Sequence, residues 1–309
     1  MAYPHSTYTT ARALTYSYIH IPPQSPNTQY ILFLHGFPST SHDWRHQISF
    51  FVAKGYGILA PDLLGFGETS KPSELEMYRG EGMARDIVEI MVSEGVGVVV
   101  GVAHDWGSFL LSRLANYHPE RFSAYAFIDH GYGAPGRSLT PDVIQHIDSS
   151  VQAKLGFSIF GYFLFFNEED AAKLLDEHVS SFQTLQILTC QTLTTLQSES
   201  VESLYFATDS EINKKYKGAP GGFRTWLTEG KTADLPAYLT SEVKFLAVMH
   251  GVSAYMEQDH KHYQHAFSFE KGGYGPAINW YRAVLRNINK EDEKNDEYGV
   301  DNGREAETL

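Results

Sequence analysis

The chain has 309 residues, 42% hydrophobic and 20% charged, the balance of an ordinary globular protein long enough to bury a sizeable core. A formal net charge of −13 argues against a nucleic-acid groove or an anionic membrane surface as partner, and the apolar runs are too short to span a bilayer. Cys190 is the single cysteine, which excludes an internal disulfide and fits a reducing, cytoplasmic setting; residues 1–10 lack the basic stretch and apolar run of a secretory leader.

In chain order, residues 14–21 are β-rich and partly alternating, and residues 22–27 carry turn chemistry. Residues 30–34 form an apolar strand ending in His35-Gly36-Phe37-Pro38. Trp44, Ile48, Phe51 and Val52 give 41–53 a helical spacing closed by Lys54-Gly55. A strand at 56–60 runs into Pro61-Asp62-Leu63-Leu64-Gly65-Phe66-Gly67, a glycine-rich loop, and 83–92 reads as an amphipathic helix. Next come the β-branched strand Val98-Val99-Val100-Gly101-Val102-Ala103, the sequence His104-Asp105-Trp106-Gly107-Ser108, and a helical run from Phe109. Residues 123–129 form one more strand, ending in Asp129-His130-Gly131. Strands alternating with helices imply a mostly parallel sheet covered by helices, with ligands beyond the carboxyl ends of the strands.

The turn at Asp105 organises this pattern. A strand, a sharp bend flanked by small residues and a helix, with one reactive side chain at the apex, make a nucleophile elbow. Ala103 and Gly107 are the small flanks, and the apex is Asp105 rather than Ser or Cys. A carboxylate there can attack carbon and form an alkyl ester that water later cleaves. Taken alone, the pentad fits a solvated loop acid or a helix cap better than an elbow. From residue 136 to 273 the strand signal vanishes, and aromatic and leucine-rich helical segments around 157–166, 169–178 and 179–196 suggest a helical cap inserted over the strand ends. The reading divides the chain into a core at 1–135, a cap at 136–273, a return to the core at 274–289 and an acidic, disordered tail at 290–309.

His35-Gly36-Phe37-Pro38, Asp62-Leu63-Leu64-Gly65-Phe66-Gly67 and His104-Asp105-Trp106-Gly107, in this order and spacing, resemble the α/β-hydrolases with an aspartate nucleophile, and most closely the soluble epoxide hydrolases. Residues 160–169 and 275–282 are similar to the segments carrying that family's two cap tyrosines, which fall at Tyr162 and Tyr281. The resemblance implies an α/β-hydrolase fold and the opening of a small apolar epoxide to a diol. Asp105 would be the nucleophile, Tyr162 and Tyr281 the donors to the epoxide oxygen, and the backbone N–H groups of Phe37 and Trp106 the oxyanion hole. Without the motif match, each tyrosine reads as a core aromatic. Asp62, His35 and His104 read as structural. Haloalkane dehalogenases are the neighbouring alternative, but many of them carry a halide-binding Asn where this chain has Phe37. Neither a metal-ligand cluster nor a nucleotide fingerprint is visible, so no metal and no cofactor is expected.

The chain departs from the family pattern in two places. The family continues for two further strands carrying a late acid and the base histidine, whereas here the tail turns acidic and aperiodic. The expectation is a sheet truncated at its C-terminal part, an exposed hydrophobic edge on the strand ending at Asp129, and no assignable base histidine. An inactive homologue that binds apolar ligands is the corresponding non-enzyme alternative. Asp129 stands where some dehalogenase relatives carry the acid that orients the base; a strand-end acid accepting backbone hydrogen bonds is the plainer reading. Residues 243–258 look inserted, as a retained short intron would leave them.

Overall fold

The computed structural model describes residues 3–137, 139–178, 213–229 and 272–294. The chain divides into two compact units, Met1–Ser138 with Arg286–Leu309, and Leu139–Leu285.

The first unit is built on a six-stranded sheet of β1 (His5–Thr9), β2 (Thr15–Ile21), β3 (Tyr30–Leu34), β4 (Gly57–Pro61), β5 (Val99–His104) and β6 (Phe122–Ile128), in the order β1-β2-β4-β3-β5-β6. β4, β3, β5 and β6 are mutually parallel, while β1 and β2 pair antiparallel. The mostly parallel sheet read from the sequence is present. β1 is an addition: its residues are largely exposed, so it carries no apolar alternation to read.

Helices α1 (Arg45–Ala53), α2 (Gly80–Ser93) and α3 (Trp106–Tyr117) cover the sheet. Alternate residues of a strand point to opposite faces. On one face Ile31, Phe33, Ile58 and Ala60 cluster with Trp44 and with Ile48 of α1, and Val102 packs against them. Gly101, one residue earlier on β5, belongs to the other face, where α3 comes so close that a Cβ on Gly101 would lie 2.6 Å from Leu111 Cδ1. α2 turns Met83, Ile87, Ile90 and Met91 inward, the spacing of one helix face. Full burial of each such large apolar side chain is worth about 1.5–3 kcal/mol.

One irregularity sets the site. β5 and β6 pair with a register shift between Val99 and Val100: Val99 lies opposite Phe122 and Val100 opposite Ala124. Ser123 is the extra residue, a bulge that brings His104 level with Ile128. β6 is the outermost strand of the described sheet on that side, with Tyr125 and Ile128 exposed.

The second unit contains α4 (Pro141–Leu155), α5 (Gly161–Phe166), α6 (Ala171–Glu177), a π-helical turn at Asn213–Gly218, α7 (Gly222–Thr228) and α8 (Gly275–Leu285), with no strand among its described residues. Asp148 of α4 accepts hydrogen bonds from the backbone N–H groups of Ile159 and Phe160, tying α4 to the start of α5. Phe165 stacks on Phe223 of α7. The expected return to the core at 274–289 is corrected here. α8 belongs to the second unit because Tyr281 rests on Phe163 and Phe166, and Arg282 donates to the carbonyls of Phe166 and Glu168. The expected segments at 179–196 and 243–258 lie outside the described residues.

The chain re-enters the first unit from Arg286. A short helix, α9 (Lys290–Lys294), occupies the start of the stretch read as a disordered tail. Its acidic residues have specific partners. Glu293 accepts from Arg113 Nε at 2.9 Å and Nη2 at 2.5 Å, with both side chains only 5% exposed, and also from the Gly136 N–H. Asp292 accepts from Arg79, and the preceding Asn289 caps the Gly80 N–H. Charge alone reads as solvated tail, whereas a buried guanidinium demands a carboxylate.

Removing one partner of a buried ion pair strands the other. Glu293→Ala should lower the stability of the chain by about 3 kcal/mol in urea unfolding, and a loss below about 0.5 kcal/mol would mean that α9 is not held by Arg113.

Candidate active site

Asp105 stands between the end of β5 and the first residue of α3, with φ 53° and ψ −122°. A non-glycine residue at positive φ costs of order 1–3 kcal/mol and survives only where its surroundings over-determine it. The surroundings do so here. A Cβ on Gly107 would lie 2.2 Å from the Leu34 carbonyl oxygen and 2.6 Å from that of His35, so the helix start sits hard against the end of β3. A Cβ on Gly36 would lie 2.4 Å from both Cβ and Oδ1 of Asp105. The Ser108 N–H donates to the Asp105 carbonyl at 2.8 Å, closing the bend.

The bend presents the carboxylate to a donor. The Phe37 N–H bonds Asp105 Oδ1 at 2.8 Å. Phe37 precedes a cis Phe37–Pro38 peptide in the loop after β3. Trp106 is the first residue of α3, where the helix dipole favours negative charge.

The neighbouring loops are held by the residues read as structural. His35 Nε2 accepts from the Leu63 N–H at 2.9 Å, which leaves Nδ1 to donate to the Gly36 carbonyl. Burial pushes the pKa of His35 down, so the ring is a neutral brace between two loops. Asp62 Oδ1 accepts from both the N–H and the hydroxyl of Ser41, and Oδ2 from the Glu68 N–H.

Asp129 follows β6 as Asp105 follows β5, also at positive φ, 79°. Its side chain is 3% exposed, and Oδ2 meets His130 Nδ1 at 2.9 Å. The Asp129 carboxylate, chiefly by this hydrogen bond, raises the pKa of His130 above its ordinary value, against the opposing effect of burial. Asp105, Asp129 and His130 each offer one ligand-type atom within 4.8 Å of the others. The sequence reading names Asp105 and Asp129 but gives His130 no role. The signal was its position directly after a strand-end acid; what was missing was the bulge that sets β6 level with β5.

Tyr162 and Tyr281 both lie in the second unit, on α5 and α8. Their rings meet edge to face with centroids 6.1 Å apart, and Tyr281 is 3% exposed among phenylalanines. Lys217 Nζ stands 5.3 Å from the Tyr162 ring centroid. The structure thus brings the two tyrosines together, as it brings Asp105 together with Phe37 and Asp129.

The alpha/beta hydrolase fold family matches residues 29–242, more than half of the chain, and the chain belongs to it. Among curated relatives it is 27% identical to epoxide hydrolase A of Mycobacterium tuberculosis over 263 residues, 85% of this chain and 69% of that protein. It is 26% identical to bifunctional epoxide hydrolase 2 of Rattus norvegicus over 264 residues, 83% of this chain but only 38% of the relative. The fold is also that of the crystal structure of epoxide hydrolase A from Mycobacterium thermoresistibile, with a TM-score of 0.59, 24% identity and coverage of 93% of this chain and 76% of that one. A Vigna radiata epoxide hydrolase mutant aligns with a TM-score of 0.62 at 23% identity, covering 93% and 74% of the two chains.

The crowding at the bend gives a local test. Gly36→Ala should cost about 1–3 kcal/mol, because its Cβ meets Asp105 rather than a flexible side-chain end. Gly131→Ala, whose Cβ would have nothing within 4 Å, should stay within about 0.5 kcal/mol of the parent. Equal effects in urea unfolding would show that the bend is not tightly packed.

Proposed function

We propose that the protein is an epoxide hydrolase that opens small apolar epoxides to diols through an ester on Asp105. The observation that carries this reading is the Asp105 carboxylate at a positive-φ bend, with the Phe37 N–H on Oδ1. An oxygen already held by a backbone donor is the one on which negative charge develops when water attacks the ester. The other oxygen remains to attack carbon. The Phe37 N–H is assigned to the oxyanion hole, together with the Trp106 N–H at the start of α3. The epoxide character of the named relatives supports the substrate class.

Opening an oxirane breaks a carbon–oxygen bond, and the leaving oxygen needs a proton or hydrogen bond as its charge grows. Tyr162 and Tyr281 are assigned that task. Their edge-to-face packing puts both phenols in one aromatic cluster. The second unit, rich in aromatic side chains, is assigned the selection of apolar substrates. The dehalogenase alternative has less support, since Phe37 offers no side-chain donor for a halide. We further infer that the protein works in the cytoplasm, from its single cysteine. Among the described residues no helix is long and apolar enough to cross a membrane.

Incubation with styrene oxide, followed by intact-mass spectrometry, tests the nucleophile. Quenched in acid within the first turnover and then digested, the parent should carry one epoxide mass on the peptide containing Asp105, and Asp105→Asn should carry none. Tyr162→Phe and Tyr281→Phe should each slow adduct formation by roughly 10²-fold, the loss typical of one donor to a developing oxyanion. An adduct on Asp105→Asn of the same yield, or tyrosine variants reacting at the parental rate, would contradict the reading.

A further inference from the structure

Three polar groups converge where β5 and β6 end. Asp129 is nine-tenths buried and more, yet its Oδ1 is a buried oxygen without a hydrogen-bond partner. Its Oδ2 holds His130 Nδ1 at 2.9 Å. A carboxylate on Nδ1 fixes the imidazole as the Nδ1–H tautomer and makes Nε2 the basic nitrogen. The imidazole itself is about half exposed, at 53%, so it is reachable by water while its anchor is not. One ligand-type atom each of Asp105, Asp129 and His130 lie within 4.8 Å of one another. A water accepting from one group and donating to another spans about 4.6 Å, so groups this close leave room for no more than a single water between them.

We propose that His130, held by Asp129, is the base that activates the water cleaving the Asp105 ester. The proposal rests on the Asp105-ester reading above. In the step, the water oxygen bonds to the ester carbonyl carbon of Asp105 while its proton passes to His130. The tetrahedral intermediate then collapses, breaking the bond between the carbonyl carbon and the substrate oxygen. The leaving alkoxide takes the proton back from the imidazolium. The water's second proton leaves the new Asp105 carboxyl for solvent, so the products are the diol and the free Asp105 carboxylate, and His130 is neutral again.

The charges around the ring favour this order of events. In the resting protein the negative charges of Asp129 and Asp105 both raise the His130 pKa. Esterification turns Asp105 into a neutral group and removes one of them. The ring then gives up its proton more readily, at the stage where a base is needed. The alternative reading is a neighbouring Asp–His contact that only trims the strand end. It explains neither the burial of Asp129 nor the approach to Asp105. The same three groups also have the composition of a divalent-cation site, but Asp129 Oδ2 and His130 Nδ1 are already bonded to each other.

Single-turnover reaction with styrene oxide, followed by mass spectrometry and diol release, separates the steps. His130→Gln should form the Asp105 adduct at the parental rate, which also shows that it is folded, and lose it about 10²–10⁴-fold more slowly. Asp129→Asn should slow the same step and move its pH midpoint down, because the charge that raises the imidazole pKa is gone. In the parent, ester loss should speed up as pH rises through that pKa and the ring becomes neutral. A His130→Gln adduct that decays at the parental rate would overturn the assignment of His130 and leave Asp105 as nucleophile. Diol formed at the parental rate by Asp105→Asn would sink the ester reading itself. A chelator should leave the parental rate unchanged, and its abolition by chelator would assign the three groups to a cation instead.

Discussion

The site depends on how closely the loop after β3 and the start of α3 approach one another. Gly107 packs against the carbonyls of Leu34 and His35, and Gly36 against Asp105 itself. No side chain larger than hydrogen fits at either position. That contact holds Asp105 at φ 53°, a conformation that an aspartate in a free loop would leave. The strain places the carboxylate at the carboxyl end of the parallel strands, where its oxygen meets the Phe37 N–H. A reactive acid with a backbone donor already in position loses little in reorganisation when charge develops on it.

A second constraint acts sideways. Side-chain direction alternates along a strand, so a slip of one residue between β5 and β6 would turn every β6 side chain over. The Ser123 bulge supplies that one residue early in the strand, and its effect is felt at the far end, where Asp129 comes level with Asp105. A strand at the edge of the sheet, as β6 is among the described residues, tolerates such a bulge because only one of its sides is paired there. Asp129 then carries His130 on its outer oxygen. The position of Asp105 and of its neighbouring acid–imidazole pair thus follows from two local features of one sheet, a tight bend and a bulge.

Much of this was legible in the sequence because it rests on residue types with few alternatives. The apolar runs at 30–34 and 98–103 are short and bounded by turn signals, the pattern of strands in a parallel sheet, and small residues around an acid between strand and helix specify a close crossing. His35 and Asp62, read as structural, are bonded to backbone groups of neighbouring loops. What escaped depends on partners distant in sequence. The bulge leaves no mark in composition. The residues of α8 carry an apolar face that suits either unit, and only the rings of Phe163 and Phe166 decide where it packs. α9 is charged at every position, and nothing in it announces that Arg113, far upstream, lacks a counter-charge. β1 is polar and exposed, so it is visible only through its ladder to β2.

The central claim is that a carboxylate oxygen of Asp105, rather than water, makes the first bond to the substrate carbon. One turnover of styrene oxide in heavy-oxygen water distinguishes the two directly. Attack by Asp105 predicts a first-turnover diol free of the heavy isotope, with the label appearing instead in the Asp105 carboxylate after ester cleavage. A first-turnover diol carrying the label, beside an unlabelled Asp105, would contradict the account.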